Sequence, residues 1–361
     1  MLKKPAIDEN IKISYETLWK AIIRPPRDEY YTDELGPSTF KLLNKTYHRK
    51  DYTILNEQGL KLKLSFIEPD PQNRPTEIMP VVIYLHANSS CRIEGLDMKN
   101  LLLVNNINLC VFDFAGSGQS EGEYISLGYY EQKDTKCVID FIEKQPGVGK
   151  IGLWGRSMGA ATCLLYAGSD KKKRISCICV DSPFADFRRL AKEMCLNIIK
   201  IPHFFIDIAI SVIGKTVKNK NGTNINKIKP IKCVENILVP AIFVHAVNDE
   251  LVPFQHSVDL CQVYEGEKKL IPCEGGHNSK REKFVIVEIV RFFYKYLVYD
   301  DEEEKNKKNK ENNKEKDDEE NIVINENNSI NSINSKNNGN KDNNNENYKK
   351  FQRSDSGFDQ L

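Results

Sequence analysis

The stretch Gly155-Arg156-Ser157-Met158-Gly159 decides how this chain is read. An apolar run, Ile151-Gly152-Leu153-Trp154, precedes it, and a small-residue segment, Ala160-Ala161-Thr162-Cys163-Leu164-Leu165, follows. That order predicts a strand, a sharp turn and a helix, with a serine at the apex. A serine on such an elbow sits in a strained backbone conformation that pushes its Oγ out of the turn. The glycines two positions before and after remove side chains that would collide there. The turn also sets Ser157 at a helix N-terminus, where unpaired N–H groups and the helix dipole favour negative charge. Ser157 is the candidate nucleophile.

A nucleophilic serine needs a base, and the base needs an acid to orient it. His277, in Cys273-Glu274-Gly275-Gly276-His277-Asn278-Ser279, falls between the last expected strand and the last expected helix. A loop there lets an imidazole reach over the sheet edge towards Ser157. The acid is assigned to Asp249, in Val244-His245-Ala246-Val247-Asn248-Asp249-Glu250, just past another apolar run. Asp181, at the end of the preceding strand, is the alternative, and Glu250 is expected to point elsewhere. The oxyanion needs donors. The N–H of Met158 supplies one, and the N–H of Asn88, in His86-Ala87-Asn88-Ser89-Ser90, is expected to supply the second. Losing one such donor typically costs about 2.7–4 kcal/mol of transition-state stabilisation. His86 is expected to orient a loop, and His245 lies four residues before Asp249. His48, His203 and His256 show no partner pattern.

Around the elbow, short apolar runs alternate with helical patterns. Strands are expected at Val81–Leu85, Leu109–Phe112, Lys150–Trp154, Ile175–Val180, Ala241–Val244 and Lys269–Ile271. Helices are expected near Leu96–Val104, Tyr129–Glu143, Met158–Ala167, Phe254–Tyr264 and Glu282–Tyr296. Such a series implies a parallel sheet covered on both faces, with ligands beyond the carboxyl ends of its strands. A strand pair at Tyr52–Leu55 and Leu60–Phe66 turns at Glu57-Gln58-Gly59. Residues 1–48 read as an N-terminal extension, with a helix at Ser14–Ile23 ended by Arg24-Pro25-Pro26-Arg27. The main domain spans 49–298.

The connection from Asp181 to Pro240 is too long for one helix and its links. It is expected to form a helical cap over about 186–236, with helices at Phe187–Ile199 and Phe204–Ile213 separated by Pro202, and a polar loop at Lys218–Asn226. The face of Phe204, Phe205, Ile208 and Val212 lines an acyl pocket, touches a membrane or packs on the main sheet; the sequence leaves all three open. Residues 299–361 are Asn-, Lys- and Glu-rich and are expected to be disordered.

The net charge of +1 gives no electrostatic footprint for nucleic acid. None of the ten cysteines forms a C-x-x-C pair, and several lie in apolar periodic segments. Small buried thiols in a reducing compartment are expected, with no disulfide framework, zinc site or other cofactor. Met1-Leu2-Lys3-Lys4-Pro5 lacks a signal core, and no run approaches the roughly 18 apolar residues of a membrane span. A cytoplasmic protein with peripheral membrane contact through the cap is expected. Asp113-Phe114-Ala115-Gly116-Ser117-Gly118-Gln119-Ser120-Glu121-Gly122 lacks the third glycine of a dinucleotide loop and any P-loop lysine, so it reads as a tight turn near the pocket.

The order Ser157, Asp249, His277 is that of α/β-hydrolases. The chain resembles that superfamily, within its serine aminopeptidase-like and monoacylglycerol lipase-like branch, over about residues 20–298. The resemblance rests on Ile23–Arg27, the glycine turn, Gly152–Gly159, Asp181-Ser182-Pro183-Phe184 and His277-Asn278-Ser279. It implies an α/β-hydrolase fold with an eight-stranded, mostly parallel sheet, helices on both faces and a cap insertion. It also implies Ser157 as nucleophile, Asp249 as acid and His277 as base. The family usually has His-Gly where this chain has His86-Ala87, and the added Cβ is expected to alter the loop that carries Asn88. The expected activity is hydrolysis of a carboxylic ester or thioester of a lipid or acyl-protein. An aminopeptidase, with Glu193 or Asp207 holding the amine, is the alternative, as is a ligand-binding protein without turnover.

Overall fold

The computed structural model describes residues 14–196 and 203–299. The expectations for the first residues, the end of the first cap helix, the break at Pro202 and the tail from 300 lie outside them, as do the side chains of His203 and Phe204. Nine strands form one sheet: β1 (Thr39–Leu42), β2 (Lys45–Leu55), β3 (Lys61–Pro69), β4 (Met79–Leu85), β5 (Asn108–Phe112), β6 (Val148–Arg156), β7 (Ile175–Asp181), β8 (Ala241–Ala246) and β9 (Lys268–Cys273). Their order is β1-β2-β3-β5-β4-β6-β7-β8-β9. The first three strands run antiparallel, and β3 meets β5 antiparallel. From β5 through β9 every pairing is parallel.

The sheet has one strand more than expected, and the extra strand is β1. Leu43 and Asn44, with φ of 44° and 62°, close it onto β2 in a two-residue turn. Such turns usually carry glycine, so no hairpin signal stands in the sequence here. The expected boundary at residue 48 therefore falls inside β2. The segment before it is no appendage: helix α1 (Tyr15–Ile23), capped by Ser14 Oγ on the Thr17 N–H at 3.1 Å, buries Trp19 and Ile23 in the main core.

Alternate residues of the central strands point to opposite faces. Ile178 and Val180 join the core under α3 (Glu131–Ile142), α4 (Met158–Ser169) and α7 (Gln255–Val263), whereas Cys177 and Cys179 face α2 (Lys99–Val104) and α8 (Lys283–Phe293). All ten cysteines are free thiols, six of them buried. A 3₁₀ segment at Arg92–Met98 precedes α2, so the expected helix at Leu96–Val104 is split.

Between β7 and β8 lie α5 (Phe187–Met194) and α6 (His203–Asn221). Helix α6 continues through the first part of the expected polar loop. Val217 extends its buried stripe of Ile206, Ile210 and Ile213, while Lys218 and Lys220 stay exposed. Gly222, with φ of 78°, ends it in the left-handed conformation usual after a helix. Phe205, Ile208 and Val212 are each at least half exposed, so the face singled out in the sequence points away from the core. No helix among the described residues is long and apolar enough to cross a membrane.

Candidate active site

Ser157 stands between β6 and α4 with φ of 51° and ψ of −112°. Its N–H donates to the Asp181 carbonyl at 2.8 Å, which holds the strained residue against the end of β7. The flanking glycines are needed for close approach: a Cβ on Gly155 would lie 2.3 Å from the Gly159 carbonyl oxygen, and one on Gly159 would lie 2.0 Å from that of Leu85. The elbow is thus wedged between its own helix and the end of β4.

Registers such as Leu85 with Gly155, Arg156 with Asp181 and Ala246 with Cys273 align the strand ends along one edge. The loops beyond them bring the three distant residues together. His277 Nε2 lies 3.0 Å from Ser157 Oγ, and His277 Nδ1 lies 2.7 Å from Asp249 Oδ2. A carboxylate only accepts, so Nδ1 carries the proton and Nε2 is left to accept the Ser157 hydroxyl.

Asp249 is buried. Burial opposes its charge, but hydrogen bonds from His245, His277 and the Val252 N–H outweigh it and hold the carboxyl well below the usual range. Oδ1 accepts the Leu251 and Val252 amides at 3.0 and 2.7 Å. His245 Nε2 sits 3.3 Å from Oδ2 and 2.8 Å from the Val252 carbonyl, and its Nδ1 meets Ser257 Oγ at 2.6 Å. Asp181, the alternative acid, is instead held bidentately by Arg281, and the His277 ring bonds Asp249. Glu250 accepts the His277 N–H at 3.3 Å, so it supports the loop rather than the ring.

Met158 and Asn88 line the same cavity as Ser157 and His277. Among the described residues, neither amide donates to a protein acceptor. The Ala87 N–H is taken by Glu94 Oε2 at 2.8 Å. Ala87 does not have a positive φ; the left-handed position of the loop is Ser89, at 55°. The Cβ that replaces the usual glycine hydrogen therefore adds no backbone strain. His86 spans the loop and the glycine turn, with Nδ1 donating to the Ala87 carbonyl at 2.8 Å and Nε2 accepting the Phe114 N–H at 3.1 Å.

Two further residues were not singled out from the sequence. Arg156 donates to Glu94 Oε1 at 2.8 Å, to the His277 carbonyl at 3.1 Å and to Asn278 Oδ1 at 3.2 Å. Glu94 thereby joins the Ala87 loop, the elbow and the histidine loop. Burial works against its charge, yet Arg156 and the Ala87 N–H keep its carboxyl below the ordinary range. The only sequence signal was the position of Arg156 inside the elbow.

The remaining polar candidates are engaged elsewhere. Glu193 pairs with Arg189 at 2.8 Å and His256 at 2.7 Å, and Asp207 pairs with Arg188 at 2.9 Å and Lys192 at 2.7 Å. His48 pairs with Asp70 at 3.0 Å. The glycine turn folds around its own anion: Asp113 accepts the Gln119 and Arg92 amides and the Tyr30 hydroxyl. The cavity itself is about 230 Å³, and among the described residues no carboxylate lines it.

Comparison with solved structures places this architecture. An esterase from Pyrococcus furiosus, Pf2001, superposes with a TM-score of 0.56 at 20% identity, over 76% of this chain and 99% of that one. An acetyl xylan esterase from Paenibacillus sp. R4 gives 0.57 at 16% identity, over 81% and 97%. The chain has the α/β-hydrolase fold. Within it, residues 108–196, which hold the elbow, match the X-Pro dipeptidyl-peptidase (S15 family) model. Among curated proteins, the chain is 28% identical to the uncharacterized YqkD of Bacillus subtilis over 206 residues, 57% of this chain and 67% of that one. It is 27% identical to the lysophosphatidylserine lipase ABHD12 of Macaca fascicularis over 184 residues, 48% of this chain and 43% of that one.

Proposed function

We propose that this protein is a serine hydrolase that cleaves a carboxylic ester or thioester, of a lipid or an acyl-protein, through an acyl-enzyme. The observation that carries the reading is the continuous relay from Ser157 Oγ through His277 to Asp249, at 3.0 and 2.7 Å, opening on an apolar cavity. His277 Nε2 takes the Ser157 proton as Oγ bonds to the carbonyl carbon, and the carbonyl electron pair moves onto oxygen. The Met158 and Asn88 amides hold that oxyanion. Collapse breaks the bond to the alcohol or thiol, which leaves with the proton from His277. Water, deprotonated by the same imidazole, then attacks the acyl-enzyme, and the acid departs as Ser157 is restored.

The partial match to an X-Pro dipeptidyl-peptidase family favours a peptidase as the second reading. An aminopeptidase needs an acid for the substrate amine. Glu193 and Asp207 are both paired with cations, and among the described residues no carboxylate lines the cavity, which supports the ester. The exposed face of Ile208 and Val212 is consistent with a protein that meets its lipid at a membrane surface.

A fluorophosphonate probe is expected to label Ser157, and Ser157→Ala is expected to abolish labelling and lower nitrophenyl ester turnover roughly 10⁶-fold. Wild-type turnover in that variant would overturn the assignment. A folded wild-type chain that binds fatty acid but is never labelled would point to a receptor on a hydrolase scaffold.

A further inference from the structure

We propose that the N-terminal helix α1 is the chain-length gauge of the cavity: Leu18, Ala21 and Ile22 set the longest unbranched acyl chain that the site accepts. The inference rests on the ester-hydrolase reading and adds its specificity determinant. These three residues line the cavity that opens at Ser157, together with Leu190, Ile210 and Ile213 of the cap helices. Positions 18, 21 and 22 stand at i, i+3 and i+4, so they share one helix face. Ala21, the shortest of the three, sets that wall back between two bulkier neighbours.

The wall is fixed in place. At its C-terminal end the Ile23 carbonyl accepts the Ile125 N–H at 2.9 Å. Arg27 donates to the carbonyls of Gly116, Ser120 and Gly122 at 3.1, 3.0 and 3.1 Å. Trp19 and Ile23 are buried beneath the helix. At the other end Tyr15 hydrogen-bonds Thr216 of α6, and the Lys220 ammonium lies 4.4 Å from the Trp19 ring. A wall held at both ends does not yield to a longer ligand. Among the described residues no Asp, Glu, Lys or Arg lines the cavity, and its walls are mostly aliphatic and aromatic, so an aliphatic chain is the chemistry that fits it. Each methylene buried there is worth about four-fold in kcat/KM, up to the length at which the chain meets α1.

The test measures kcat/KM for nitrophenyl esters from two to sixteen carbons, and, in parallel, displacement of a fluorescent fatty acid by free acids of the same lengths. Ala21→Phe is expected to move both optima to shorter chains and Leu18→Ala to longer ones, while Glu16→Gln, on the exposed side of the helix, leaves both where they are. If Ala21→Phe fails to fold, as read by circular dichroism, Leu18→Ala alone decides. Folded variants whose optima coincide with wild type overturn the gauge, even where ester turnover stands. If no ester is turned over and no probe labels Ser157, the hydrolase reading falls instead, and the fatty-acid displacement still decides whether α1 sets the length.

Discussion

Asp249 has more partners than the orientation of one imidazole requires. Two histidines reach Oδ2 and two amides reach Oδ1. Asp249→Asn cannot impose the Nδ1–H tautomer on His277, and turnover is expected to fall roughly 10⁴-fold. Its folded carboxyl lies below its unfolded range, so the charge contributes stability above an unfolded value near about 3.9, and that contribution is lost as pH falls from there towards the folded value. Urea denaturation should accordingly show a stability gap between wild type and Asp249→Asn that is constant above about pH 5 and narrows below about pH 4. Glu94 makes a second prediction at this scale. Glu94→Ala strands Arg156 without its acid, with an expected loss of about 3–5 kcal/mol, and Glu94→Gln should lose less because it still accepts from Ala87. Of these residues, Ser157, Asp249 and His277 were legible because each lies in a loop that follows an apolar run, in a recognised order. Glu94 and His245 were not, because their partners are separated from them by tens of residues or hidden in a turn, and no local pattern announces a tether.

Among the elements, the elbow is the least tolerant. Gly159→Ala would drive a methyl carbon into the carbonyls of Leu85 and His86, both on the central strand β4 or just past it. Overpacking of this kind costs at least ~1–3 kcal/mol, and here neither backbone can retreat. Chemical denaturation should show the loss, and the rate of fluorophosphonate labelling should fall with it. The same elbow was readable from five residues because the steric demand is local. Helix α6 was read too short for the opposite reason: Lys218-Asn219-Lys220 looks like a loop until Val217 is seen to complete a buried stripe. Phe205, Ile208 and Val212, picked out on that helix, are exposed, since composition cannot say which of two apolar faces turns inward. Strand β1 was missed because its turn uses Leu43 and Asn44 in place of glycine.

For the whole molecule, acid and base pull stability in opposite directions. Asp134, on α3, accepts the Asn56 side-chain N–H at 2.8 Å and the Ala115 amide at 2.9 Å, and so ties the β2–β3 turn to the glycine turn. Burial pushes its carboxyl up to about 7. A raised carboxyl favours the folded state below its unfolded value and surrenders that advantage as pH rises through the folded one. Wild-type stability should therefore decline between about pH 5 and pH 7, and Asp134→Asn should flatten that decline. The parallel core of the sheet was legible as a whole because its strands are apolar throughout. The part played by residues 14–48 was not, since the contacts that fasten helix α1 to the glycine turn and the cap are made at long range.

Those long-range contacts carry a cost in time. Tyr15 and Thr216, the pair that fastens α1 to the cap, are 201 positions apart. A ribosome adding about 5–20 residues per second takes roughly 10–40 s to travel that distance. For much of that interval the first helix is outside the tunnel while the cap it will fasten to is still unmade, and its apolar face stays open to chaperones and to misassembly.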